Sequence, residues 1–223
     1  MVFMRPLNLP DNSCMSATVI DAPVKKTSFR QHMQQAREEA IVRVVNRLLA
    51  EKGFDAMTVD EVAAEVGIAK ASLYRHFPSK EDLAAAAMVK AMQQAMDFID
   101  TLHTVVCPLA RLQAVARWTM KVQLAGEMPS LPSENSSLRA TLTSHTAYVD
   151  LLLRISETLG GWIEAAQDEQ KLAKQLPPIV VLYTLYARAC DPVLGFLKAT
   201  GQFTDEQIID WVMQTCFEGL RTR

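Results

Sequence analysis

The segment from Thr58 to Pro78 sets the tightest limit on how this chain can fold. It reads T-V-D-E-V-A-A-E-V-G-I-A-K-A-S-L-Y-R-H-F-P. Two runs with helical apolar spacing flank one glycine, and each is too short to hold a helix by itself in water. Val59, Val62, Ala63 and Val66 give the first run its inward stripe. Leu73 and Phe77, four apart, do the same for the second, with Ile68 anchoring the turn. Thr58 and Glu61 fit a capping box, Gly67 supplies a stop, and Pro78 cannot continue the helix. The pattern predicts a helix-turn-helix over about residues 58–77, packed on further helices.

Those further helices are legible on both sides. Upstream, Ile41, Val44, Val45, Leu48 and Leu49 form an amphipathic stripe that Gly53 ends, with Arg37, Glu38, Arg43, Arg47 and Glu51 mostly on the wet side. Downstream, Ser79-Lys80-Glu81-Asp82 caps a helix running to about Leu102. Pro108, the Met128–Pro132 stretch, Pro177-Pro178 and Gly201 divide the remainder into more helices. With only eight glycines and no alternating strand pattern, the expected fold is all-α, of about nine helices. It should comprise an N-terminal three-helix helix-turn-helix domain and a C-terminal helical domain. The expected divisions are a disordered leader over 1–28, the first domain over 29–85 and the second over 86–223.

Charge is segregated around the second short helix. The net charge is −2, so bulk electrostatics do not mark a polyanion binder. Between Ile68 and Lys80, however, stand Lys70, Arg75 and Lys80 with no acid, while the preceding helix carries Asp60, Glu61 and Glu65. Opposite Leu73 lie Ala71, Ser72, Tyr74 and Arg75, with His76 at the edge. Ala71 and Ser72 are small enough for the backbone to approach base edges in a major groove. Tyr74 can offer its hydroxyl to a phosphate, and the cations can displace condensed counterions.

Over Glu39 to about Ala87 the chain resembles the DNA-binding domain of the TetR family of transcriptional regulators. The likeness rests on L-x-x-x-G-F at Leu49 to Phe54 and on L-Y-R-H-F-P-S-K from Leu73 to Lys80. It implies phosphate contacts by Thr58, Lys70, Tyr74, His76 and Lys80, with Ala71, Ser72 and Arg75 approaching the bases. The chain departs from the family at Ala69, where members often carry serine, and at Ala71, often glycine or proline. It thereby loses a side-chain cap.

The same resemblance implies an effector-binding and dimerisation domain from residue 86 on, and a homodimer that spans two half-sites of a near-palindromic operator. Relief of repression by a ligand is the expected mode. The residue pattern independently supports pairing. Ile179–Leu197 is apolar nearly all round, and the last helix, capped by Thr204 and Gln207, has a stripe too wide for one contact. Val193, Phe196, Leu197, Ile208, Trp211, Val212, Thr215 and Cys216 are the expected interface. Candidates for an effector pocket are Trp118, Met120, Met128, His145, Tyr148, Leu152, Trp162, Tyr183 and Tyr186. Such walls favour an apolar or aromatic small molecule over a phosphorylated metabolite.

Other classes find little footing. No Glu-x-x-His pair, glycine-rich phosphate loop or nucleophile elbow occurs, and His32, His76, His103 and His145 are dispersed. Neither an enzyme nor a metal or other cofactor is expected. Near-neutral charge also disfavours a sequence-tolerant DNA-organising protein without an effector. Cys14, Cys107, Cys190 and Cys216 lack ligand spacing and read as thiols in a reducing cytosol. Met1–Ser28 lacks the layout of a secretory signal, and no apolar run is expected to reach the roughly 18–20 residues of a membrane span. A cytoplasmic, nucleoid-associated protein is the expectation, with Lys25 and Lys26 of the leader as an optional minor-groove arm.

Overall fold

The computed structural model describes residues 29–129 and 136–218, and these are helical with no strand among them. The leader, with Cys14, Lys25 and Lys26, and the last apolar residue Leu220 lie outside the described residues. Helix α1 spans Phe29–Ala56, α2 Val59–Val66, α3 Lys70–His76 and α4 Lys80–Thr101. A 3-10 turn at Leu102–Thr104 leads to α5 (Pro108–Leu124), α6 (Ser137–Ser144) and α7 (Thr146–Asp168). The chain continues with α8 (Pro178–Arg188), α9 (Pro192–Ala199) and α10 (Asp205–Glu218). Helices α8 and α9 are the apolar stretch read as one helix, broken where Pro192 lacks the N–H that an unbroken helix would need.

That stretch also bears on the membrane reading. By length and hydropathy, Pro178–Ala199 is apolar enough to cross a bilayer. In the fold it is two helices of 11 and 8 residues, each shorter than the roughly 20 residues that a span needs. The turn between them holds an ion pair, Arg188 to Asp191 at 2.5 Å, and Asp191 is nearly fully buried. Gln123 of α5 clamps the same turn, donating to the Asp191 carbonyl at 2.9 Å and accepting from its N–H at 3.2 Å. A buried carboxylate held in this way makes the break a fixed structural feature.

Two apolar cores are strung along one rod. The first gathers Ile41, Val45, Leu49, Met57, Val62 and Leu73 with Leu83, Ala84 and Met88 from the first half of α4. The second takes Met96 and Ile99 from the other half of α4 and joins them to α5, α7, α8, α9 and α10. A 22-residue helix is about 33 Å long, so α4 reaches from one core into the other and contributes side chains to both. Leu138 and Leu142 of α6 pack into the first core, and Ser137 donates a hydrogen bond to Glu81 at 2.8 Å. The packing therefore crosses the division drawn at residues 85/86.

Candidate nucleic-acid interface

Helix α2 is fixed at both ends by its own sequence. The Glu61 N–H donates to Thr58 Oγ1 at 3.2 Å, and the Thr58 N–H donates to Glu61 Oε2 at 3.0 Å, closing the capping box. Lys52 donates to the same carboxylate at 2.8 Å. This lysine, followed by the hydrogen bonds from Thr58, holds the Glu61 carboxyl at about 2, far below the ordinary carboxylate value. Gly67 closes the helix at φ 74, the left-handed conformation that glycine adopts without a Cβ penalty, and its N–H reaches the Ala63 and Ala64 carbonyls.

Helix α3 hangs on one anchor. Leu73 is buried under α1 and α2, Ile68 and Phe77 are half-buried beside it, and Ala69 caps the start without a side-chain hydrogen bond. Its outer face is therefore free of packing duty. Ala71, Tyr74 and Arg75 are exposed, while Ser72 is half-buried and accepts a hydrogen bond from Arg75 at 3.1 Å. Lys70 pairs with Asp60 at 3.0 Å, and that carboxylate raises the lysine pKa, keeping it cationic. Lys80 lies over the Phe54 ring at 4.4 Å and reaches the Asp55 carbonyl at 3.4 Å.

Two side chains hold partners that charge counting along α3 missed. The His76 Nδ1 sits 3.0 Å from Glu38 of α1, 38 positions away, with little of the ring exposed. It braces α3 against α1. The Thr58 hydroxyl donates its proton to Glu61 at 2.9 Å, so a phosphate must compete for that proton.

The nine pocket candidates do not line one cavity. Trp118 stacks on Phe98 at 5.0 Å, Trp162 lies under Arg111 at 5.3 Å, and the Tyr186 and Ser156 hydroxyls meet at 2.8 Å. Burial raises the pKa of both Tyr148 and Tyr186, keeping them protonated. Met120 is fully buried in the second core, whereas Tyr148 packs against the first. His145 caps α7 with a buried Nδ1 that has no partner among the described residues, and Leu152 is half-buried on the same helix. Met128 lines a cleft of about 630 Å³ between Ala50 of α1, the end of α5 and the α8–α9 break. Tyr183 is 64% exposed on the outer face of α8, which corrects its assignment to an interior wall.

The expected dimer face divides in the same way. Val193, Phe196 and Trp211 are exposed, Phe196 by 73%, with Thr215 exposed and Leu197 and Cys216 half-buried beside them. Ile208 and Val212 turn inward and belong to the protomer's own core, because α10 packs that stripe on α5. Ion pairs of Arg117 with Asp210 at 2.7 Å and Lys121 with Glu206 at 2.9 Å hold α10 in this orientation. Ile179, Val180 and Tyr183 of α8 extend the exposed apolar face, a role that periodicity did not assign to them.

Residues 41–87 match the family described as bacterial regulatory proteins, tetR family. A helix-turn-helix-type transcriptional regulator of Mycobacterium bovis is 45% identical over 58 residues, 26% of this chain and 29% of the relative. The matched part thus spans less than a third of that curated relative's length. The structure of AibR in complex with isovaleryl coenzyme A and operator DNA superposes with a TM-score of 0.60 at 21% identity, covering 81% of this chain and 98% of that one. FadR of Bacillus subtilis in complex with stearoyl-CoA gives 0.63 at 14% identity, covering 82% and 99%. Residues 41–87 are thus similar to the N-terminal domain of the tetR family of bacterial regulatory proteins, and the described residues share the all-helical fold of the AibR and FadR structures.

Proposed function

We propose that the protein is a sequence-specific transcriptional regulator that binds a near-palindromic DNA operator as a homodimer and releases it when a small molecule binds. The observation that carries this reading is α3 itself: one buried leucine anchors it, and its outer face of small, hydroxyl and cationic side chains takes no part in core packing. With α3 in a major groove, Ala71, Ser72 and Arg75 would meet base edges. Thr58, Lys70, Tyr74 and Lys80 would meet phosphates, and His76 would set the helix angle through Glu38. The domains are residues 29–85 for DNA and 86–218 for effector and partner, with α4 shared.

Pairing follows from the exposed apolar face on α8, α9 and α10, which water disfavours and a second copy would cover by a two-fold axis. The effector reading rests on the half-buried aromatic groups of α5, α7 and α8. A ligand entering there must part Trp118 from Phe98 or Tyr186 from Ser156, and this shifts helices that pack on α4. It releases DNA only in so far as it prefers the shifted state. An apolar or aromatic molecule suits such surroundings. The acyl chains in the AibR and FadR complexes are of that kind, whereas a nucleotide part would need a cationic rim. The work of such a protein is in the cytoplasm, on the nucleoid, and needs no catalytic step.

Selection of bound duplexes from a random pool tests the reading. One inverted-repeat sequence should emerge and outcompete random duplex by about a thousandfold or more. Lys70→Ala should weaken all duplexes alike and reduce the salt slope by about one, while Ser72→Ala should change which sequence wins. Recovery of no preferred sequence from a folded dimer would sink it.

A further inference from the structure

The first turns of α1 make no contribution to the protomer's core. Residues 31–37 are all exposed, and the first buried residue of the helix is Ile41. From Phe29 to Ala40 this overhang extends about 18 Å. It is polar nearly all round and sustained by side-chain pairs one turn apart, Gln34 to Glu38 and Gln35 to Glu39, each at 3.3 Å. Such pairs support an isolated helix only weakly, so the overhang gains little from the rest of the protomer and is open to contact from outside. The overhang also precedes the residues matched by the family.

It is aimed at the outer face of α3. Met33, Gln34 and Arg37 of α1 line one groove with Ser72, Arg75 and His76 of α3, about 370 Å³ in volume. Charge within this groove is one-sided. Arg37 is exposed and has no hydrogen bond or ion pair among the described residues, and Arg75 meets only the neutral Ser72 hydroxyl. By contrast, Arg47 is held by Glu51 and Glu65, Lys52 by Glu61, and Lys70 by Asp60. Glu38, the acid next to Arg37 in the chain, lines a different cleft, toward Val42, Phe77 and Val89, and is occupied by His76 and Gln34. The same His76–Glu38 contact fixes the overhang against α3.

We infer that the α1 overhang is part of the DNA-contacting surface, and that Arg37 holds a backbone phosphate in the groove it shares with Arg75. This rests on the reading of α3 as the groove-entering helix. A guanidinium without an intramolecular partner gives up no ion pair when it meets phosphate, and its planar fork can grip two oxygens at once. The contact carries no sequence information of its own; it lengthens the footprint and fixes the angle at which α3 enters.

The test is a salt titration of operator and random duplexes with the full chain and its variants. Arg37→Ala should keep the melting midpoint, weaken both duplexes by a similar factor of about tenfold, and lower the slope of log affinity against log salt by about one. Arg37→Lys should restore most of the slope. Unchanged affinity and slope in Arg37→Ala, with Lys70→Ala impaired, would overturn the inference while leaving the regulator reading intact. Absence of DNA binding by the unaltered chain would overturn both. Inorganic phosphate alone should give no thermal shift. A shift lost in Arg37→Ala while its DNA binding stays normal would make the groove a free-anion site and refute the inference.

Discussion

The two cores of this molecule are built by different kinds of contact. In the first, the polar interactions that cap and join α2, α3 and α4 are mostly local: Thr58 with Glu61, Ser79 with Asp82, and Lys70 with Asp60 ten residues back, with His76–Glu38 and Ser137–Glu81 as the long-range exceptions. In the second the polar ties between helices are distant: Ser156 with Tyr186, 30 positions on, and Gln123 with Asp191, 68 positions on. Local contacts form whenever the backbone enters a helix, so they fix where α2 and α3 start and stop, while burial of Val62 and Leu73 against the rest of the first core holds them there. Distant contacts exist only once several helices have docked. The part proposed to face DNA is therefore positioned largely by local contacts, and the part proposed to take an effector by contacts that repacking can change. A regulator needs that asymmetry, because a fixed reading head is useful only if something else can move it.

The most severe way to break the contrast is Leu73→Ala. Removing this buried anchor should cost the first core about 2–5 kcal/mol, measured by urea denaturation, and abolish DNA binding. All three tryptophans, Trp118, Trp162 and Trp211, follow α4, so their fluorescence should still report a native second core at the urea concentration where α3 is lost. Simultaneous loss of the tryptophan signal would mean that α4 fuses the two cores into one cooperative unit.

On the other side, Phe196→Asp places a charge on the exposed apolar face of α9. Sedimentation at falling concentration should show a dimer weakened by about 2 kcal/mol or more, with each protomer's helix content intact. A dimer unaffected by this change would have to use another surface. A smaller effect is expected from Thr58→Ala, which removes the cap of α2 without touching any core. About 1 kcal/mol should be lost from the first core in thermal melts, and none from the tryptophan-reported core.

The finest test is acid. The Glu61 carboxyl titrates near 2 in the folded chain against an ordinary 4.5, so its stabilising effect is complete above about pH 4.5 and fades as pH falls toward 2. Melting midpoints of the unaltered chain and Glu61→Gln should differ most at pH 6, draw visibly closer by pH 3, and converge only near pH 2. A gap that persists unchanged at pH 3 would show that the carboxylate charge is not what the capping box uses.

The helix-turn-helix was legible because its signals lie within a few residues of each other. Thr58, Gly67, Leu73 and Pro78 determine where α2 and α3 start and stop, and the segregated cations mark the outer face. Periodicity also disclosed that α8, α9 and α10 are too apolar for one contact. It did not tell which stripe faces home: Ile208 and Val212 proved internal, while Ile179, Val180 and Tyr183 proved external. A helix with apolar residues on most sides has no preferred rotation until its neighbours choose one, and here packing of Ile208, Val212 and Phe217 into the second core does so, with the surface pairs of Arg117 and Lys121 consistent with it.

Sequence by itself thus determined the helical class, the limits of α2 and α3 and the identity of the anchor Leu73, since each follows from hydrogen bonds and apolar spacing within a turn or two. Tertiary structure alone decided that His76 braces Glu38, that α6 joins the first core, and that Arg37 shares a groove with Arg75. Those facts depend on how rods 38 or more residues apart come to rest against one another. That docking is set by the summed packing of both cores, which no short stretch of the chain encodes.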